Sequence, residues 1–116
     1  MEPQASLLGV DLIEIKKAKS FYESHKDNLA SFFSRREIAE IHKDKKSHEK
    51  LAVLLAAKES VFKALGPRPA GLLGFSNISV SKRNLKKLGL ELSVVKRHGL
   101  IVVECHSNRP RKVISR

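Results

Sequence analysis

Two acidic residues on separate segments are the side chains best placed to do chemistry. Asp11 interrupts the apolar segment 9–15, and Glu59 stands in an apolar segment between Lys58 and Lys63. Asp is disfavoured inside strands, and a charge within a buried helix is costly unless it is used. Carboxylate oxygens suit Mg²⁺, which also keeps water and substrate phosphate oxygens as ligands. The pattern predicts a metal site at Asp11 and Glu59 that handles a phosphate-bearing substrate.

The spacing of Glu59 and Lys63 also has a simpler interpretation. The two residues are four apart, so on a helix they share a face and can form an ordinary ion pair. For an isolated pair of this kind the ion pair is the commoner explanation. The apolar surroundings of the pair shift the balance towards a functional role, because unneeded charges are costly there.

The elements that must position these acids can be predicted from periodicity and capping signals. Residues 7–15 alternate as a strand, and a helix that is apolar on most sides runs from about 49 to 65, where Gly66-Pro67 stops it. Ser34-x-x-Glu37 is a capping-box pattern. Further segments complete the order: helices at 16–26 and 35–42, strands at 75–80, 88–95 and 100–105, a turn at 96–99 and a short edge strand at 113–114. This order predicts an α+β fold in which an N-terminal strand and helices precede an antiparallel sheet.

The composition narrows the class of protein. A chain of 116 residues with 41% hydrophobic residues predicts one globular domain. No segment is long enough to span a membrane, and the N-terminus lacks the basic region of a secretory signal. Cys105 is the only cysteine, which excludes an intramolecular disulfide and fits a reducing cytoplasm. The net charge of +11 favours anionic partners or solubility alone.

Two motifs carry a resemblance to a known family. Gly-Val-Asp-Leu-Ile-Glu-Ile at 9–15 resembles the opening strand of the holo-[acyl carrier protein] synthases, the small bacterial 4′-phosphopantetheinyl transferases. Ala-Ala-Lys-Glu-Ser-Val-Phe-Lys-Ala-Leu-Gly at 56–66 resembles their second signature, and the spacing and residues 75–80 also fit. The resemblance covers about 7–80 and implies one phosphopantetheinyl transferase domain over residues 1–116.

The family resemblance implies an activity with defined substrates. It implies a Mg²⁺-dependent transferase that moves the phosphopantetheine arm of coenzyme A to a serine of apo-acyl carrier protein and leaves 3′,5′-ADP, in fatty acid or polyketide biosynthesis. It also implies a homotrimer in the cytoplasm. It further implies that the acyl carrier protein is acidic.

The resemblance assigns roles to individual residues. Asp11 and Glu59 would hold the metal, and Lys63 would act with them in catalysis. Residues at the second signature and just beyond it would contact coenzyme A, namely Lys58, Lys63, Gly66 and Arg68. The acidic carrier would meet a basic strip, Lys16, Lys17 and Lys19, which is otherwise an ordinary solvated helix start.

The chain departs from the family pattern at several positions. Leu54 stands where an arginine is usual, and Gly66-Pro67-Arg68 stands in place of a Gly-Thr-Gly turn. The late Ser-x-Ser/Thr-His segment of the family is not clear in this chain, where His106 is the histidine near that position. These departures leave the metal pair intact and affect coenzyme A and carrier contacts. One alternative is therefore a non-catalytic homologue that binds carrier protein or coenzyme A without turnover.

A second alternative is a basic nucleic-acid-binding module. The net charge and the basic end at 109–116 support it. Aromatic residues make up only 5% of the chain and Trp is absent, so platforms for base stacking are scarce. This alternative also leaves Asp11 and Glu59 unexplained, because carboxylates repel phosphate without a metal.

Overall fold

A computed structural model describes residues 8–44, 48–65 and 79–107. Within these ranges the chain forms three strands and four helices, with a short 3-10 turn at Leu29–Ser31. In chain order the elements are β1 (Leu8–Glu14), α1 (Ile15–His25), α2 (Arg35–Lys43), α3 (Glu49–Leu65), α4 (Lys82–Leu88), β2 (Leu90–Arg97) and β3 (Leu100–Ser107). The predicted α+β class is confirmed.

The three strands form one antiparallel sheet in the order β1-β3-β2. The N-terminal strand therefore pairs with the last described strand, with Asp11 opposite Val103. Because side chains alternate along a strand, Ile101, Val103 and Cys105 all point to one face, where they are fully buried. That face carries the core, and Asp11 lies at its β1 edge.

Helix α3 lies across this core face. Ten of its side chains are buried, and its apolar residues pack with Ile101 and Val103 of β3 as well as with Ala18 of α1. An apolar surface around most of a helix requires neighbours on most sides, and here the sheet, α1 and α2 provide them. The predicted bounds of 49–65 are confirmed.

The opposite face of the sheet carries a row of apolar side chains. Leu12, Val102 and Val95 are cross-strand neighbours on β1, β3 and β2. Leu12 and Val95 are 57% and 55% exposed. A contiguous apolar row of this kind is typical of a surface that pairs with another protein.

Helix α4 corrects one prediction. The predicted strand start at Leu88 is wrong, because Leu88 ends α4 and β2 begins only at Leu90. The Ser81 hydroxyl accepts from the backbone N–H of Asn84, and Gly89 ends the helix with a φ of 74°. The hairpin turn of β2 and β3 lies at His98 and Gly99, both with positive φ, as a tight hairpin requires.

Two predicted strands fall partly or wholly outside the described residues. Residues 75–78 of the predicted 75–80 strand and the edge strand at 113–114 lie outside them, and residues 79 and 80 form no strand. In the described ranges, no helix combines the length and apolar character needed to cross a membrane.

Candidate functional site

The site begins where β1 crosses α3 at very close range. A Cβ atom on Gly9 would lie 2.0 Å from the carbonyl oxygen of Ser60 and 2.6 Å from the backbone nitrogen of Ala64. Both distances are far below contact distance, so this crossing requires glycine. The close approach brings the β1 residues that follow Gly9 beside the C-terminal half of α3.

Asp11 and Lys63 meet at this crossing. The Lys63 ammonium donates to Asp11 Oδ1 at 3.0 Å and to the carbonyl oxygen of Val10 at 3.1 Å. The Lys63 side chain is 52% exposed and that of Asp11 is 20% exposed. The ion pair of Lys63 thus joins Asp11, not Glu59 as the helical spacing alone suggests. A lysine and a carboxylate from distant parts of the chain are brought together at the surface.

Asp11 and Glu59 line one open cleft of about 570 Å³. Lys17 of α1 is the basic residue at its wall. The other described residues of the lining are apolar side chains and one serine, namely Leu12, Ile13, Phe21, Ser31, Phe32 and Leu55. The structure therefore places both predicted carboxylates at a common cavity that is large enough for a ligand.

The donor set of this cleft fits Mg²⁺. Among residues 8–44, 48–65 and 79–107, no three or more His, Cys, Asp and Glu side chains converge as a complete metal cage. Mg²⁺ is commonly held by one or two carboxylates and completes its shell with water and substrate phosphate oxygens. Two carboxylates at the wall of an open cleft, with a lysine beside one of them, match that requirement.

Lys58 points away from this cleft. Its side chain is fully buried, with the ammonium 2.9 Å from Glu37 Oε1 and 5.6 Å from the centre of the Phe33 ring. Burial lowers the pKa of Lys58, and the hydrogen bond and charge of Glu37 oppose that change. A direct coenzyme A contact of Lys58 stays a prediction, since the described contacts of the ammonium lie in the core.

Sequence reasoning assigned Glu37 a role only in the cap of α2. The capping box is confirmed, because the Ser34 hydroxyl accepts from the Glu37 N–H and Glu37 accepts from the Ser34 N–H. Its pairing with Lys58 was missed, since a contact between residues on different helices leaves no periodic signal. The available signal was Lys58, a charge in an otherwise apolar helix that requires a buried partner.

The other residues predicted to contact the carrier or coenzyme A are either exposed or outside the described part of the chain. Lys16, Lys17 and Lys19 are exposed on α1, and Lys17 reaches the cleft. Gly66 and Arg68 lie outside the described residues. The carrier-binding and coenzyme A-binding roles of all of these residues stay predictions.

Two departures from the family pattern occupy other places in the fold. Leu54 lines a smaller pocket of about 120 Å³ together with Arg36 and Lys50. His106 lies on β3, with Nε2 3.6 Å from Glu91 Oε1 of β2. Neither residue lines the cleft of Asp11 and Glu59.

Cys105 does not have the properties of a nucleophile. The thiol is free and fully buried on the core face of β3. Burial raises the pKa of the Cys105 thiol to about 11, so the reactive thiolate is scarce near neutral pH. Cys105 is therefore a core residue of the sheet.

Comparison with known sequences identifies the family. A family profile described as the 4′-phosphopantetheinyl transferase superfamily matches residues 7–110. The chain therefore belongs to the 4′-phosphopantetheinyl transferase superfamily.

Curated relatives share one name within that superfamily. The chain is 42% identical over 82 residues to the holo-[acyl-carrier-protein] synthase of Clostridium acetobutylicum, which covers 69% of this chain and 64% of the relative. It is 37% identical over 82 residues to a holo-[acyl-carrier-protein] synthase of Clostridium perfringens, covering 69% of this chain and 59% of the relative. In both cases the match spans less than two thirds of the relative.

Solved structures share the fold. The holo-[acyl-carrier-protein] synthase of Neisseria meningitidis has a TM-score of 0.70 at 19% identity, covering 89% of this chain and 98% of that one. That of Helicobacter pylori, solved in complex with coenzyme A, has a TM-score of 0.68 at 23% identity, covering 85% of this chain and 97% of that one. At these identities the likeness confirms the fold.

Proposed function

We propose that this chain transfers 4′-phosphopantetheine from coenzyme A to a serine of apo-acyl carrier protein and releases 3′,5′-ADP. The observation that carries the proposal is the cleft shared by Asp11 and Glu59, with Lys63 paired to Asp11. The names of the curated relatives and the coenzyme A complex of a structural neighbour support the same chemistry. We assign the reaction to the cytoplasm and to fatty acid or polyketide biosynthesis.

Asp11 and Glu59 would hold Mg²⁺ in this proposal. When bound, the ion supplies positive charge at the pyrophosphate of coenzyme A as the phosphoryl group is transferred. Asp11 is held in place by Lys63, which leaves its other carboxylate oxygen to serve as a ligand. Glu59 is exposed on α3 at the cleft and needs no rearrangement of the helix to face a ligand.

Lys63 contributes a hydrogen-bond donor to the substrate. An ammonium group has three N–H donors, and two are directed to Asp11 and the Val10 carbonyl oxygen. We assign the third to a phosphate oxygen of coenzyme A, where it stabilises charge that develops during transfer. Gly66 and Arg68, which follow α3 in sequence, are proposed to contact the same phosphates.

The proton and the leaving group have defined destinations. The serine hydroxyl oxygen of the carrier forms a bond to the phosphorus that bears the pantetheine arm, and the bond from that phosphorus to 3′,5′-ADP breaks. Either Glu59 or a water held by a carboxylate accepts the serine proton. Positioning of both substrates in the cleft supplies most of the remaining acceleration.

The carrier is proposed to dock on α1. Lys16, Lys17 and Lys19 are exposed there, and Lys17 also lines the cleft. An acidic carrier would be attracted to this strip, and its serine would be delivered to the cavity wall beside Asp11.

We also propose that the chain assembles as a homotrimer. The apolar row of Leu12, Val102 and Val95 on the outer face of the sheet supports burial against other copies. Val95→Glu is expected to reduce the mass measured by light scattering to that of a monomer. Leu88→Glu, at a comparably exposed apolar residue of α4, is the matched control and should leave the assembly intact.

Intact-mass spectrometry of an apo-acyl carrier protein tests the reaction. After incubation with the chain, coenzyme A and Mg²⁺, the carrier should gain one phosphopantetheine arm, and EDTA should prevent the gain. A folded chain that modifies none of several carriers would instead be a non-catalytic homologue.

A further inference from the structure

Glu37 connects three separate parts of the chain through one buried carboxylate. Its Oε1 accepts from the Ser34 backbone N–H and from the Lys58 ammonium, each at 2.9 Å. Its Oε2 accepts from the backbone N–H of Val80, also at 2.9 Å. The start of α2, the middle of α3 and the segment that leads into α4 therefore meet at this side chain.

The contact with Lys58 bears directly on the orientation of Glu59. The two residues are consecutive on α3, so their side chains leave the helix axis about 100° apart. Lys58 points into the core towards Glu37, while Glu59 points to the cleft. Together with the buried apolar side chains of α3, the held Lys58 ammonium restricts the rotation of the helix about its axis and with it the direction of Glu59.

Helix capping alone does not account for the carboxylate. A capping box functions with either Glu or Gln at this position. The bond to the buried Lys58 ammonium does require a negative charge, because an unpaired buried charge is strongly unfavourable. Buried ion pairs seldom add net stability over apolar side chains of similar volume, so stability alone is a weak reason for this pair.

We propose that Glu37 is a positioning residue of the site: through Lys58 it sets the direction of Glu59, and through Val80 it fixes the entry to α4 relative to α3. Glu37 lies in the core and touches neither substrate in this account. The inference rests on the proposed function, since it concerns the metal and coenzyme A site of that reaction.

Calorimetric titration of the full chain with coenzyme A in the presence of Mg²⁺ tests the inference without relying on turnover. The chains compared are wild type, Glu37→Gln, Lys58→Met and the double variant, each with its thermal unfolding temperature. Gln offers one acceptor oxygen in place of two, so it cannot satisfy all three donors. Glu40→Gln is the matched control, because Glu40 lies on the same helix but forms a half-exposed ion pair with Lys50.

A positioning role predicts that the affinity for coenzyme A and the unfolding temperature respond differently to these substitutions. Glu37→Gln should raise the Kd for coenzyme A with Mg²⁺ by about tenfold or more, the scale typical of residues that orient metal ligands. The double variant removes both charges, so its unfolding temperature should recover towards wild type while its Kd stays raised. Glu40→Gln should bind as wild type does.

Two results would overturn the inference while leaving the proposed function standing. One is a Glu37→Gln variant that is folded and binds with wild-type affinity. The other is a double variant in which affinity and unfolding temperature recover together, which would make the pair purely structural. A wild-type chain that binds no coenzyme A would contradict the proposed function, and the inference would fall with it.

Discussion

The ammonium of Lys63 lies 3.0 Å from Oδ1 of Asp11, which joins two residues separated by 52 positions in sequence. The contact exists because Gly9 lets β1 cross α3 with almost no space between their backbones. Asp11 is thereby held at the cleft that Glu59 also lines. One glycine and one ion pair organise the proposed metal and substrate site.

Replacing Lys63 should affect transfer far more than folding. The Asp11–Lys63 pair is partly exposed, and exposed ion pairs contribute only about 0–1 kcal/mol to stability. Lys63→Met should slow transfer by roughly 100-fold, because it removes a donor that stabilises developing charge. Transfer rates and urea unfolding check both parts. Lys50→Met breaks a similarly exposed pair with Glu40 and should leave transfer unchanged.

Adding one methyl group at Gly9 should separate β1 from α3. Gly9→Ala places a Cβ against backbone atoms of Ser60 and Ala64 that cannot move aside, so we expect a loss of about 3 kcal/mol in unfolding free energy. Displacement of Asp11 should also weaken coenzyme A binding with Mg²⁺. Urea unfolding and calorimetry measure the two effects.

Gly99→Ala provides the contrast for this experiment. Gly99 has a φ of 76° and open space around its Cβ position, so alanine there costs only about 1–2 kcal/mol through backbone strain. Its affinity for coenzyme A should be that of wild type. Equal losses of affinity in the two variants would contradict the proposed importance of the crossing.

Charge reversal on α1 should weaken carrier binding selectively. Substituting Lys16 and Lys19, the two lysines of this strip that do not line the cleft, with Glu should raise the KM for the carrier about tenfold or more and change the KM for coenzyme A little. The salt dependence of the carrier KM should also decrease. The same reversal at two exposed basic residues of α4, Lys82 and Lys86, is the control. A matching effect from α4 would argue for general attraction instead of a defined docking strip.

The buried thiol of Cys105 predicts a loss of stability at high pH. Burial raises its pKa from 9.0 to about 11, so between these values the native state holds a proton that the unfolded state releases. The stabilisation is complete below pH 9 and is lost as pH rises towards 11, by about 2 to 3 kcal/mol.

Comparison with Cys105→Ala isolates this effect from other groups that titrate at high pH, among them Lys58. The stability difference between wild type and variant should shrink between pH 9 and 11 in urea unfolding experiments. A difference that stays constant across this range would show that the thiol is not protected by burial.

The sequence predicted the elements whose signals are local. The bounds of α3 followed from its apolar residues and from Gly66-Pro67, and the capping box of Ser34 and Glu37 followed from four consecutive residues. Helix α4 was missed because its capping residue, Ser81, follows an alternating segment that favours a strand. The apolar residues from Leu88 onwards favoured a strand, so the predicted start of β2 is too early in the sequence.

The sequence could not determine which charges pair across the fold. Lys63 has a carboxylate four residues before it, yet its partner is Asp11 on β1. Lys58 and Glu37 lie on the consecutive helices α3 and α2, and only packing of α2 against α3 brings their side chains together. The metal-site residues were predicted from the chemistry of the two carboxylates and from motif resemblance, but the arrangement of the lysines around them required the structure.

The most direct test of the account is the initial rate of phosphopantetheine transfer to an apo-acyl carrier protein, measured by intact mass in wild type and Glu59→Gln. Glu49→Gln is the control, because it alters another glutamate of α3 that pairs with Lys96 away from the cleft. The account predicts Mg²⁺-dependent transfer by wild type and Glu49→Gln, and a rate lowered at least about 100-fold in Glu59→Gln. Equal transfer by wild type and a folded Glu59→Gln variant would contradict the assignment of this cleft as the site of transfer.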